Sequence, residues 1–152
     1  MVKIEEALKM TRFPSQKHKA SLNLMYTAWW LKTMISQELK SAGLTLEQYN
    51  VLRILKGKHP QPMCVRDIGS RMIERNSNVP RIIDRLVSKN LVNRSTSETD
   101  KRETAIKLTD IGLDKLLAAT KRVDRLFGES VVMKEEEAEM LNTLLENMRE
   151  KE

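Results

Sequence analysis

Apolar positions recur every three or four residues through most of the chain, and once they switch to strict alternation. In residues 1–13, Ile4, Ala7 and Leu8 predict a short amphipathic helix. Pro14 then marks a boundary and Ser15 is a candidate N-cap. From 16 to about 40, Leu22, Met25, Tyr26, Trp29, Trp30 and Thr33 mark a long helix, and Ser41-Ala42-Gly43 ends it with Gly43 as a left-handed cap. Thr45-Leu46-Glu47-Gln48 is a capping-box pattern, opening a helix with Tyr49, Leu52 and Leu55 inward. Gly57 to Pro62 breaks that helix.

A further helix over 65–75 carries Val65, Ile68 and Met72 on one face. The next runs from Ser77, its expected N-cap, to about Lys89, with Val79, Ile82, Ile83, Leu86 and Val87 as the inner stripe. Pro80 falls in its first turn, where a missing N–H costs little, and Asn90 suits a left-handed C-cap. Then the period changes. Leu91–Arg94 reads as one strand, Ser95 to Asp100 as a turn, and Glu103–Leu108 as the return strand. Thr109 caps a helix over 110–127, which Gly128 ends. Residues 134–149 form the last helix, with Ala138, Leu141, Leu145 and Met148 in a narrow seam suited to helix–helix packing.

Composition narrows the function classes. The chain has 152 residues, 40% hydrophobic and 32% charged, with a net charge of +6. This suits one domain, extended or dimeric. Residues 61–109 hold ten Lys and Arg against six Asp and Glu, whereas 133–152 hold three against seven. The C-terminal end is therefore expected to face away from any polyanion. The single cysteine, Cys64, permits no internal disulfide and fits a reducing cytoplasm. The stretch MVKIEEALKMTRF has acidic residues and no apolar run, so it does not read as a signal peptide. No apolar stretch approaches the ~18 residues of a membrane span. His18, His59 and Cys64 make no metal-ligand spacing. No paired catalytic carboxylates, Cys/His pair or Gly-rich phosphate loop is visible, so neither an enzyme nor a cofactor is expected.

The order helix, turn, helix, hairpin is that of a helix-turn-helix with a two-stranded wing. On the second helix of the turn unit, Asn78, Arg81, Arg85 and Ser88 lie opposite the apolar stripe. Arginine can fork to guanine and asparagine to adenine in a major groove, and Ser77 and Asn78 at the helix start can meet a phosphate. Such a face is also what a solvated charged helix presents.

The wing and its flanks decide between these. The run Leu44-Thr45-Leu46-Glu47-Gln48-Tyr49-Asn50-Val51-Leu52 is followed by Val65-Arg66-Asp67-Ile68-Gly69, then by Arg81 to Arg94. Asp100-Lys101-Arg102 and Leu108-Thr109-Asp110-Ile111-Gly112 close the set. In this order and spacing the sequence resembles the MarR family of winged-helix transcriptional regulators, over roughly residues 44–112. The resemblance implies a mainly α fold: a DNA-binding lobe at 45–109 with a two-stranded β-wing, flanked by dimerisation helices at 1–44 and 110–152, in one continuous domain. It implies a homodimer on a pseudo-palindromic operator in double-stranded DNA, a repressor released by a small aromatic or amphipathic ligand. A winged-helix module for protein–protein contact is the alternative reading.

By the motif match, Arg102 is the wing arginine that enters a minor groove and Asp100 its positioning partner. The two are two residues apart on a strand, so both point to one face. Lys101 beside them reaches phosphate, and Arg94 on the facing strand pairs with Asp100 or touches phosphate. The family's dimer helices put Ile4, Leu8, Leu22, Val123, Phe127, Leu141, Leu145 and Met148 at the interface. Pro80 departs from the family's usual Ser or Thr and removes a hydroxyl and a backbone donor near phosphate. Asn90 replaces the common Gly.

His18, Tyr26, Trp29, Trp30 and Tyr49 form a candidate ligand pocket between the lobes, though adjacent aromatics at helical spacing also serve as ordinary packing. Cys64, at a helix start, is either a structural small residue or a reactive thiol. Glu135-Glu136-Glu137 suits the first turn of a helix, where the macrodipole favours acids.

Overall fold

The computed structural model describes residues 2–75, 78–97 and 101–150. Its elements are α1 (Ile4–Leu8), α2 (Gln16–Ser41), α3 (Leu46–Lys56), β1 (Met63–Cys64), α4 (Val65–Ser70), α5 (Val79–Ser88), β2 (Val92–Thr96), β3 (Thr104–Leu108), α6 (Asp110–Ser130) and α7 (Glu135–Asn147).

Local chemistry sets most of the boundaries. Ser15 Oγ accepts from the His18 N–H and starts α2. Gly43, at φ 67°, ends it; Leu44 N–H returns to Leu39 O and Gly43 N–H to Lys40 O. That pairing is a Schellman closure, which needs a left-handed residue at this position. Asn90, at φ 56°, closes α5 the same way through Leu91 N–H to Leu86 O and Asn90 N–H to Val87 O. The Thr45/Gln48 capping box forms in both directions, each bond 3.2 Å. Gln48 is buried, and its Oε1 also accepts from Lys89 Nζ at 3.1 Å. The box thereby ties the start of α3 to the end of α5.

Several boundaries differ from the sequence expectation. The N-terminal helix is only α1, because Lys9 turns left-handed at φ 52°. The helix expected over 65–75 stops at Ser70; tight bonds from Arg71 N–H to Ile68 O and Met72 N–H to Gly69 O convert its end to a turn. That turn, not a helix face, buries Met72. α6 runs through Gly128 to Ser130, since one glycine costs a long helix only about 1 kcal/mol. The last helix ends at Asn147, two residues before the expected Arg149.

The wing gains a third strand. β2 pairs antiparallel with β3 from Val92↔Leu108 to Thr96↔Thr104, and β1 pairs with the other edge of β3 through Met63↔Ile106 and Cys64↔Ala105. The sheet order is β1-β3-β2. Leu52, Leu55, Ile68, Ile83, Leu86, Ile106 and Leu116 are fully buried in one core under α3, α5, β3 and α6. Each such side chain stabilises by about 1.5–3 kcal/mol relative to exposure.

Val123, expected at a dimer interface, belongs to this internal core and is 4% exposed. The α6 face carrying Leu116, Ala119 and Val123 packs on the chain's own α2 and α3. Ile4 is likewise buried within the chain, on an α1 that packs against α2. Among the described residues no helix is long and apolar enough to cross a membrane.

Candidate nucleic-acid interface

α5 is strongly two-faced. Val79, Ile83 and Leu86 are buried, Ile82 and Val87 half-buried, and Asn78, Pro80, Arg81, Asp84, Arg85 and Ser88 exposed. The helix cap is Asn78 rather than Ser77: Asn78 Oδ1 accepts from the Arg81 N–H at 3.2 Å. Ser77 lies outside the described residues. One lone pair of its carbonyl oxygen is thereby engaged in the cap, which leaves the second and the amide N–H groups for any base contact. Ser88 donates its hydroxyl to Arg85 O at 2.8 Å, back into the helix. Arg81 and Arg85, one turn apart, are left as the long donors of this face.

The wing stands beside that face. Arg94, on β2, donates to Asp84 Oδ1 on α5. Asp100, the side-chain partner expected for Arg94, lies outside the described residues. Lys101 and Arg102 are exposed but precede β3, which starts at Thr104. Arg102 therefore sits in the turn and not on a strand, so the alternation argument for its direction does not apply. The ladder extends one step past Thr96↔Thr104, through Ser97 N–H to Glu103 O at 2.9 Å, and the tip begins there. Glu103 also accepts from Arg66 at 3.1 Å, fixing the wing to α4.

Behind the interface, an apolar cavity of about 200 Å³ lies among α2, α3, α6 and the segment that follows α4. Tyr49, Val123 and Phe127 line it, with Glu47, Arg53 and Glu74 among its polar members. Of the five residues expected in a pocket, only Tyr49 is there, and its hydroxyl donates to Thr120 Oγ1 at 3.2 Å. His18, Tyr26, Trp29 and Trp30 do not converge on it. They are spread along α2, where His18 and Trp30 stand about 18 Å apart at ~1.5 Å per residue. Trp29 is 59% exposed and stacks obliquely with Tyr26, ring centroids 5.6 Å apart.

The cavity wall from the segment after α4, Ile73 and Glu74, had no signal in the sequence, because its partners lie on distant elements. A polar recess adjoins α5, lined by Arg81, Arg85 and Asn78 together with Glu47, Gln48 and Glu74.

Leu8, Phe127, Leu141 and Met148 are exposed in the single chain, and Leu22 and Leu145 half-buried. None of α7 is buried. Met25, Val132, Met140 and Leu144 add to the exposed apolar surface.

Comparison with known proteins agrees with this geometry. Residues 44–104 match the model of the MarR family. The HTH-type transcriptional regulator MhqR of Bacillus subtilis (strain 168) is 26% identical over 118 residues, covering 75% of this chain and 78% of that protein. The fold is shared with the crystal structure of a S. aureus MepR–DNA complex (TM-score 0.77, 24% identity, 87% of this chain and 97% of that one). It is shared equally with the organohalide-sensing RdhR transcriptional regulator bound to 2,4-dichlorophenol (TM-score 0.78, 19% identity, 92% and 86%). The winged-helix core at residues 44–104 thus matches the MarR family of transcriptional regulators, and the helices around it are arranged as in those regulators.

Proposed function

We propose that the chain is a cytoplasmic, sequence-specific DNA-binding repressor that acts as a homodimer on a pseudo-palindromic operator. The observation that carries this reading is the Arg81/Arg85 face of α5 with the basic wing fastened beside it through Arg94 and Asp84. α5 enters the major groove with the two arginines on guanine edges, and Lys101 and Arg102 reach the flanking backbone and minor groove, whose negative potential attracts arginine. MepR, of the same fold, was crystallised with DNA.

Dimerisation is supported by the apolar surface left open on α2, α6 and α7, since patches of this kind mark association surfaces. On this reading residues 1–44 and 110–152 form the dimerisation lobe and 45–109 the DNA-binding lobe. A small aromatic or amphipathic molecule in the apolar cavity releases the operator by changing the distance between the two recognition helices. RdhR, of the same fold, holds 2,4-dichlorophenol.

Selection of bound duplexes from a randomised pool tests the reading. The expected result is a two-fold-related consensus with half-sites ~10–10.5 bp apart or a multiple of it. Recovery of no sequence, or binding that does not weaken with salt, returns the fold to a protein–protein module.

A further inference from the structure

Glu74 lines two spaces at once. It forms part of the apolar cavity wall, with Tyr49 and Val123, and part of the polar recess that Arg81 and Arg85 share. Its carboxylate accepts from the ammonium of Lys32, which arrives from α2, 42 residues away in sequence. That hydrogen bond is the main reason the Lys32 pKa lies above the ordinary lysine value; the charges of Glu74 and Glu47 add to it, against some loss of solvation. The two side chains are 48% and 55% exposed. An ion pair so open to water is weak and exchanges partners easily.

Glu74 therefore has cations on two sides. Lys32 holds it from α2, and Arg81 and Arg85 line the same recess as Glu74. We propose that Glu74 is a partner-exchanging carboxylate: held by Lys32 it leaves Arg81 and Arg85 to DNA, and released from Lys32 it pairs with one of them and withdraws that charge from the polyanion. The exchange swaps one ion pair for another and makes or breaks no covalent bond. It also links the cavity to the groove, because Ile73 and Glu74 belong both to the cavity wall and to the short segment leading into α5. An occupant that moves this segment away from α2 separates Lys32 from Glu74. The inference rests on the DNA-binding reading above.

The test uses the 152-residue chain and duplexes recovered from the randomised pool by the wild type, at fixed moderate salt. Lys32→Met is expected to bind them about tenfold more weakly, on the scale of one charge withdrawn from a polyanion contact. Glu74→Gln should bind about two- to threefold more tightly, because a neutral amide no longer competes for the arginines. The double variant Lys32→Met/Glu74→Gln should return to the Glu74→Gln affinity. A Lys32→Met chain that binds like the wild type overturns the switch. So does a double variant as weak as Lys32→Met, which makes Lys32 itself the contact. Should Lys32→Met fail to fold, Glu74→Gln alone decides, with weaker binding overturning the proposal. A wild type that recovers no duplex overturns the DNA-binding reading and the switch with it, whereas a wild type that binds isolates the fate of the switch.

Discussion

Arg94 on β2 donates to Asp84 Oδ1 on α5, so the first wing strand is fastened to the outward face of the recognition helix. Asp84 is the one acid among the exposed residues of that helix face. A bare carboxylate there would repel phosphate, and its arginine neutralises it. Arg94→Ala should leave stability within about 1 kcal/mol, as for exposed pairs, yet weaken operator binding by about tenfold. Asp84→Asn in the same chain should recover most of the loss. If Arg94 acts only as a phosphate contact, fluorescence anisotropy will show the double variant as weak as Arg94→Ala.

Arg81→Ala, Arg85→Ala and Arg102→Ala should each cost about 1–3 kcal/mol of operator affinity, the scale of one groove contact. The recognition-helix pair should lose base preference, and Arg102 should lose affinity more evenly. Salt titrations of each variant separate the two kinds; unchanged affinity for Arg102→Ala at moderate salt sinks the wing assignment.

Gly112 explains why the tract Leu108-Thr109-Asp110-Ile111-Gly112 ends in glycine. A Cβ there would stand 2.0 Å from the Leu91 carbonyl oxygen. Thr109 adds its N–H and hydroxyl to the same joint, donating to Leu91 O at 3.2 and 3.0 Å. Gly112→Ala should destabilise the fold by about 3 kcal/mol, the upper range of overpacking, read as a lowered denaturation midpoint. A midpoint equal to the wild type would mean the joint yields freely.

Ending the chain after Phe127 removes α7, none of which is buried within one chain. The expected product is a monomer or an insoluble chain, checked by analytical ultracentrifugation. A stable dimer would show that α7 takes no part in association.

Glu5 accepts from Lys19, and that hydrogen bond holds its pKa below the ordinary 4.5. The carboxylate's pKa is lower folded than unfolded, so the contribution is present above the ordinary value and fades as pH falls through the lowered one. Hydrogen exchange over α1 should rise selectively in acid, and Glu5→Gln should show that fast exchange already at neutral pH. Equal exchange in both chains at neutral pH would contradict the tie.

Sequence pattern made the elements legible wherever the cause was local. The Ser15, Thr45 and Thr109 caps, the left-handed Gly43 and Asn90, and the α5 stripe are all decided within a few residues. β1 escaped because a two-residue strand has no period to read; it exists through its pairing with Ala105 and Ile106. The α5 cap shifted by one residue because Ser and Asn serve equally there. Among interface residues, the arginine face was plain from periodicity. The Arg94–Asp84 and Lys32–Glu74 pairs were not, since each joins separate elements. The aromatics of α2, neighbours in sequence, do not close on one space within the single chain.

The joint of Thr109 and Gly112 against Asn90 and Leu91 makes α6 a lever arm with α5 at its short end. Twenty-one residues of helix span about 31 Å at ~1.5 Å per residue, so a tilt of about 5° at the joint displaces the far end by about 3 Å. With the arm's other end held, the same tilt appears as a movement of α5. On the dimeric, DNA-binding reading proposed above, adding or deleting residues within α6 is expected to change which operator spacing is accepted, while leaving the base preferences untouched.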